Sequence, residues 1–156
     1  MMIVFGFPNS PELPITGQNL GFLDQRFALE WVQFNIEYFG GNPKKVTIFG
    51  ESAGALSVDA LVTTYSHNPP FRAAIEESGE VFLSNFLNAG VNSTKSWLSL
   101  AAALNCPTST SNLACIRAAN ATTIKSIIEH AALVFQPIVD NVTLIGNTAA
   151  ARAAHK

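Results

Sequence analysis

Five residues, Gly50-Glu51-Ser52-Ala53-Gly54, constrain this chain more than any others. They follow Lys45 to Phe49, which reads as a short buried strand, and they lead into a helix-prone run from Ala53 to Val62. A serine hydroxyl is a poor nucleophile and needs both an adjacent base and donors for the oxyanion formed on attack. A sharp strand-to-helix turn lifts the hydroxyl clear of the sheet. It also sets the serine beside the unpaired N–H groups and the positive dipole end of a helix's first turn. Such a turn crowds its neighbours, so small residues are expected two positions before and two after, which gives Gly50 and Gly54 their place. The backbone N–H of Ala53 would be one oxyanion donor. A bare G-x-S-x-G arises by composition in roughly 5% of chains of this length. The strand before it and the helix after it set this instance apart from an ordinary turn with an N-capping serine.

The order of elements around the motif points to an α/β fold. Residues 8–20 are loop, broken by Pro8, Pro11, Pro14 and Gly17. A long helix is predicted from Leu23 to Phe39, with two apolar stripes. Leu23, Phe27, Trp31, Phe34 and Tyr38 form one, and Phe22, Leu29, Val32, Ile36 and Phe39 form the other. Two stripes predict burial on more than one side. Gly40-Gly41 ends the helix and Asn42-Pro43 turns the chain. After the motif and its helix, residues 66–70 are loop and Phe71–Glu77 reads as a second strand. Helix, strand, helix, strand implies a parallel sheet with crossover helices. Further helices are predicted near Ser93–Leu104, Ser111–Ala119 and Thr122–Leu133, with Phe135–Asp140 as a strand or extended segment. The alanine-rich tail has helical propensity. Met1–Phe7 is apolar but meets Pro8 too early for a signal h-region, and reads as a buried strand end.

Composition narrows the function classes. The 156 residues are 48% hydrophobic and only 13% charged, about half the charge of an average soluble protein. A chain this poor in charge is expected to be an interior section of something larger, a single incomplete domain over residues 1–156. The formal charge of −2 gives no basic footprint for nucleic acid, and no apolar run approaches the 18 or more residues of a membrane-spanning helix. Cys106 and Cys115 have the wrong spacing for a zinc pair. They are either two buried thiols or the ends of a short disulfide loop. Three N-glycosylation sequons begin at Asn92, Asn120 and Asn141. With 13 Asn and 23 Ser plus Thr in the chain, chance alone gives about two, so the count carries little weight.

The stretch from Asn19 to Val58, "NLGFLDQRFALEWVQFNIEYFGGNPKKVTIFGESAGALSV", closely resembles the type-B carboxylesterase family, which includes cholinesterases and fungal secreted lipases. The resemblance includes Asp24-Gln25-Arg26, Trp31-Val32, Phe39-Gly40-Gly41 and the serine motif. It continues more loosely through Phe71–Gly79, Cys115–Asn120 and Phe135–Asn141. It implies a partial α/β-hydrolase fold, with Ser52 as catalytic nucleophile, Ala53 in the oxyanion hole and Gly50, Glu51 and Gly54 completing the elbow. Glu51 would be a buried acidic neighbour of the catalytic centre and Ser78 a hydroxyl behind it. The resemblance also implies a Cys106–Cys115 disulfide, a secretory compartment, no cofactor or metal, and a small-molecule or lipid ester as substrate. One departure stands out. Family members often have Asp where this chain has Asn42, and that Asp pairs with the arginine matching Arg26. A hydrogen bond is expected in place of the ion pair.

The remaining catalytic parts are not expected in this chain. The fold's triad runs serine, acid, histidine. By the resemblance, the glycine-rich oxyanion motif belongs before "FGFPNS", and the acid and histidine belong after "PIVD". His67 reads as a surface residue, His130 as a helix residue without other chemistry, and His155 as part of a frayed end. Asp140 and Glu129 have no evident histidine to orient. Alone, the chain is expected to be inactive. Some relatives keep such folds as adhesion or interaction modules without catalysis, and a segment of one is the alternative reading.

Overall fold

The computed structural model describes residues 4–65, 67–79, 93–107 and 112–154. Its first half holds a two-stranded parallel sheet, β1 (Thr47–Glu51) and β2 (Ala73–Glu77), paired Thr47 to Ala73 through Glu51 to Glu77. Helix α1 (Leu20–Asn35) precedes β1, and α2 (Ala53–Thr64) makes the crossover to β2. The second half is helical: α3 (Ser93–Ala103), α4 (Leu113–Ala118), α5 (Ala121–His130) and α6 (Thr148–Ala154). The α/β reading and the parallel crossover hold. Among the described residues no helix is long and apolar enough to cross a membrane.

Element ends follow local chemistry. Helix α1 tightens into a 3-10 turn at Ile36–Phe39, three residues before the predicted α-helical end of Phe39 would be reached intact. Gly40 then takes the left-handed conformation at φ 78°, where a side chain would be strained, and its N–H and that of Gly41 close on the Glu37 and Ile36 carbonyls. Asn120 caps α5, its Oδ1 accepting from the N–H groups of Thr122 and Thr123. Helix α4 has no cap from its own sequence neighbour. Glu12, a hundred residues earlier, supplies it by accepting from the Asn112 and Leu113 N–H groups, each at 2.9 Å.

Among the described residues, three hydrophobic clusters hold the chain. Val4, Trp97, Leu100, Ala101, Ile116, Ile124, Ile128 and Phe135 form the core of the helical half, with Cys106 among them. Cys106 and Cys115 are joined as a disulfide with Cα atoms 5.8 Å apart. Closing this ten-residue loop contributes about 2.5–3 kcal/mol in the chain-entropy account. Phe7, Phe22, Ala60 and Leu144 tie the two halves together, and Ile48, Val58 and Leu61 pack β1 on α2. Val4–Gly6 form a turn rather than a strand end, although Val4 and Phe7 are buried as expected. Residues 1–3 of that predicted strand lie outside the described residues.

Residues 135–140 belong to no strand. Two buried asparagines take the place of a strand partner. Asn9 donates from Nδ2 to the Gln136 carbonyl and accepts from the Gln136 N–H, and Asn19 makes the same pair of bonds with Ile138. Alternate residues along an extended chain present their backbone groups to one side, so two side-chain amides two positions apart reproduce a ladder. Asp140 ends the segment. Its Oδ1 accepts from the N–H groups of Val142, Thr143 and Leu144, and its Oδ2 accepts from the Thr143 hydroxyl. Burial alone would push the Asp140 carboxyl up, but these donors outweigh it and hold the carboxyl below its ordinary range. The folded state therefore prefers the carboxylate. That stability is complete above the unfolded-state pKa of about 3.9 and is lost as pH falls through the depressed folded value. Asp140→Asn is expected to cost about 1–2 kcal/mol in urea unfolding at pH 7, with the deficit shrinking as pH falls through the depressed folded value. A deficit that stays constant as pH falls below the unfolded-state value of about 3.9 until the wild type itself unfolds would refute the assignment.

Two sequence expectations fail in this part of the molecule. Of the two stripes on α1, the one with Phe22, Leu29, Val32 and Ile36 packs inward, whereas Leu23, Phe27, Trp31, Phe34 and Tyr38 are all exposed, Phe34 and Tyr38 by 80% and 86%. Phe39, which the sequence placed on the packed stripe, is exposed as well. Asn42 makes no bond to Arg26. Its side chain accepts from the Lys44 N–H and caps the turn at Pro43–Lys45. Arg26 instead donates to the Thr64 hydroxyl and the Val142 carbonyl and lies 4.9 Å from the centre of the Tyr65 ring. Asn42 sits past the end of α1, sixteen residues along the chain from Arg26, and the Thr64 and Val142 oxygens take the guanidinium Nη2, while the buried Nε has no partner among the described residues.

Candidate active site

Strand β1 ends at Glu51 and helix α2 begins at Ala53, so Ser52 alone makes the corner. Its backbone sits at φ 53°, ψ −115°, a region that non-glycine residues rarely occupy and that costs of order 1–3 kcal/mol. The surrounding structure enforces it. The Ser52 N–H donates to the Glu77 carbonyl at 2.9 Å, which extends the β1–β2 ladder by one bond, and the Ser52 carbonyl accepts from the Leu56 N–H at 3.1 Å, which opens α2. One residue thus serves as the last of the sheet and the cap of the helix. Its side chain does not cap the helix, and the residue is exposed. The first-turn N–H groups of α2, beginning with Ala53, therefore follow directly on an exposed serine that leaves them uncapped.

Gly50 and Gly54 are not equivalent. A Cβ built on Gly50 would fall on the Gly54 carbonyl group and within 2.7 Å of the Ala55 nitrogen, all backbone of the helix that crosses it. A Cβ on Gly54 would meet nothing within 4 Å among the described residues. The sequence reading gave both glycines the same crowding. The structure assigns it to Gly50 alone, because the corner folds the first turn of α2 back over that residue. Gly50→Ala is expected to destabilise the chain by at least about 1–3 kcal/mol through overpacking against atoms that cannot move aside. Gly54→Ala is expected to leave stability equal or higher by up to about 1 kcal/mol, since alanine is the better helix former. Thermal melting of the two variants side by side tests the contrast, and equal melting points would refute it.

Glu51 also departs from expectation. The resemblance implied a buried carboxylate, but Glu51 is exposed, on the same face of β1 as Thr47 and Phe49. Burial along β1 alternates because α2 covers only the face of Ile48 and Gly50, and no described element covers the other.

Ser78 lies at the end of β2 in the left-handed region, φ 58°, between Glu77, whose carbonyl holds the Ser52 N–H, and Gly79. Gly79 is a site residue that sequence reasoning missed. A Cβ there would come within 2.7 Å of the Ser52 carbonyl oxygen. The signal available in the sequence was a glycine just past the second strand, where a parallel partner passes the corner.

The described histidines and acids do not converge on Ser52. Nδ1 of His130 engages the Ser126 carbonyl of its own helix at 2.7 Å. Glu129 pairs with Lys125, and both Asp140 oxygens are taken by the 142–144 turn. His67 lies exposed past the far end of α2, whose twelve residues put roughly 18 Å between its ends. His155 and the Asn92 sequon lie outside the described residues.

Comparisons with known proteins agree with this geometry. The Carboxylesterase family profile matches residues 3–155. The chain is 36% identical over 150 residues to "Chlorogenic acid esterase" of Aspergillus niger, covering 92% of this chain and 28% of that protein. It is 41% identical over 120 residues to "Lipase 5" of Diutina rugosa, covering 72% of this chain and 22% of the lipase. Juvenile hormone esterase from Manduca sexta, solved with OTFP covalently attached, superposes with a TM-score of 0.75 at 27% identity, over 97% of this chain and 31% of the esterase. The chain therefore spans less than a third of the length of these relatives. With the serine corner, the parallel crossover and a match over nearly its whole length, this chain belongs to the carboxylesterase family.

Proposed function

We propose that this chain is the nucleophile-bearing section of a secreted serine carboxylic-ester hydrolase, within a single α/β-hydrolase domain that is longer than the 156 residues. The observation that carries the reading is the backbone of Ser52, held in a strained conformation between sheet and helix with its residue exposed and no side-chain cap. In the complete protein, Ser52 Oγ attacks the ester carbonyl as its proton passes to a base. The Ala53 N–H helps hold the oxyanion, the alcohol leaves with a proton returned from that base, and water then hydrolyses the acyl-enzyme. The substrate class is a small-molecule or lipid ester, and the chemistry calls for no metal or organic cofactor. The printed names of relatives, an esterase acting on chlorogenic acid and lipases, fit this class. The disulfide and a relative named "Secreted lipase 5" support an extracellular setting.

On this reading the 156 residues alone do not turn over substrate, because the acid and base come from elsewhere in the domain. The test is a fluorophosphonate probe on the complete protein. Its phosphonyl mass is expected on the tryptic peptide Val46–Arg72, which contains Ser52, and is expected to vanish in Ser52→Ala. A complete protein that takes up no probe would be a binding module instead.

A further inference from the structure

The described sequons differ in a way their sequences do not show. Asn120, Ala121 and Thr122 are all exposed at the start of α5. Among the described residues, the only bonds that hold the Asn120 side chain are those its Oδ1 accepts from the Thr122 and Thr123 N–H groups, both exposed, and its Nδ2 makes none. Releasing this sequon takes the fraying of one terminal turn of a ten-residue helix.

Asn141 is also exposed, at the tip of a turn in the left-handed region with φ 57°, so a sugar on its Nδ2 would project into solvent. The third residue of its sequon is another matter. Thr143 is 3% exposed. Its hydroxyl donates to Asp140 Oδ2 at 2.7 Å and accepts from Asn19 Nδ2 at 2.9 Å, and its N–H donates to Asp140 Oδ1 at 2.7 Å. The Val142 carbonyl between them accepts from Arg26 at 2.8 Å. Asn19 in turn holds Ile138, so exposing this one hydroxyl means lifting the 138–144 segment from the Asn19 clamp and from the Phe7–Phe22–Leu144 cluster.

A sequon is defined by the hydroxyl two residues past the asparagine, so the transferase must reach that oxygen as well as the amide. We infer that both asparagines are glycan acceptors in a secretory compartment but at different stages: Asn120 in the folded chain, and Asn141 only before residues 138–144 have closed. In either case the asparagine Nδ2 attacks the anomeric carbon of an oligosaccharide carried on a lipid diphosphate. The new C–N bond replaces the C–O bond to diphosphate, the lipid diphosphate leaves, and the amide proton passes to a carboxylate of the transferase. The Asn141 site is thus one-way. A chain that folds before it is modified stays unmodified there, while a glycan attached earlier is compatible with the fold because Asn141 itself is outward.

The experiment compares the complete, disulfide-bonded protein with its own tryptic digest. Each is incubated with a single-subunit oligosaccharyltransferase and a lipid-linked oligosaccharide, and read by glycopeptide mass spectrometry. Digestion separates the sequons into the peptides Ala118–Lys125 and Ser126–Arg152. Each site serves as its own control for sequence context. The Asn120 rate in the intact chain is expected within about tenfold of its peptide, whereas the Asn141 rate is expected to fall at least about a hundredfold below its peptide. Hydrogen exchange on the same sample is expected to show protected amides at Thr143 and Leu144. Equal slowing at both sites, an Asn141 rate matching its peptide, or unprotected Thr143 and Leu144 amides would each overturn the proposal.

Discussion

Replacing Ser52 with alanine in the complete protein is expected, on the proposed mechanism, to lower turnover by about 10⁶, because that mechanism loses the function of the whole triad with its nucleophile. What remains would come from the oxyanion donors and substrate binding, on the order of 10³–10⁴ over water. Stability should move the other way or not at all. Alanine is no better suited than serine to φ 53°, and the backbone bonds to Glu77 and Leu56 that fix the corner do not involve the side chain. The expected signature is therefore a full loss of ester turnover and of fluorophosphonate labelling with an unchanged melting temperature. Cysteine at the same position would keep a nucleophile in the same corner and should retain measurable labelling. A Ser52→Ala protein that still turned over esters within tenfold of the wild type would end the assignment of Ser52.

The second large effect concerns the 156 residues on their own, which are expected to self-associate at micromolar concentration. Leu23, Phe27, Trp31, Phe34 and Tyr38 form a continuous exposed stripe on α1, with Phe39 beside its end, and Phe49 and Ile75 are exposed on the sheet. Aromatic side chains bury about 150–250 Å² each when covered, so this stripe well exceeds the roughly 300–600 Å² of the largest apolar patch on a typical monomer. The total accessible surface points the same way, at 9290 Å² against about 7,600 Å² for a closed monomer of 16.7 kDa. At about 25 cal/mol per Å², covering even 400 Å² of such surface is worth roughly 10 kcal/mol before association costs are met. The sheet adds to this. A parallel pair is ordinarily covered on both faces, and here both outer edges of a two-stranded sheet have no described partner. Sedimentation velocity should show oligomers or larger species, and Phe27→Lys with Phe34→Glu should shift the distribution towards monomer. A wild-type chain that sediments as a single 16.7 kDa species at tens of micromolar would show that the stripe is not sticky.

The corner was legible because its chemistry is local. A strand, one residue that breaks the backbone pattern, and a helix can be read within thirteen residues, and the glycine at position 50 answers to a contact only four residues away. The disulfide loop and the capping of α5 by Asn120 are local too, although the spacing of Cys106 and Cys115 left the bridge open and it was the family likeness that implied it. Where sequence reading went astray, the deciding partner was distant or absent from the described chain. The outer stripe of α1 looked buried because its side chains suit burial, and Glu51 because the family likeness implied it, yet burial is a property of what lies opposite. Arg26 found Thr64 and Val142, 38 and 116 residues away, and left Asn42 to cap its own turn.

The sequence by itself determined the helix–strand–corner–helix–strand order, the single residue at which the chain must bend backwards, and the family to which that bend belongs. Only the tertiary structure decided that Gly50 rather than Gly54 is the crowded glycine, that Gly79 abuts the serine carbonyl, that two asparagine amides stand in for a strand, and that one sequon's hydroxyl is sealed while another's is open. The physical reason is range. Backbone preference and periodicity act over a few residues and are written in the order of side chains. Contact, burial and hydrogen-bond satisfaction depend on which distant groups arrive at the same place, and that is settled only when the chain closes on itself.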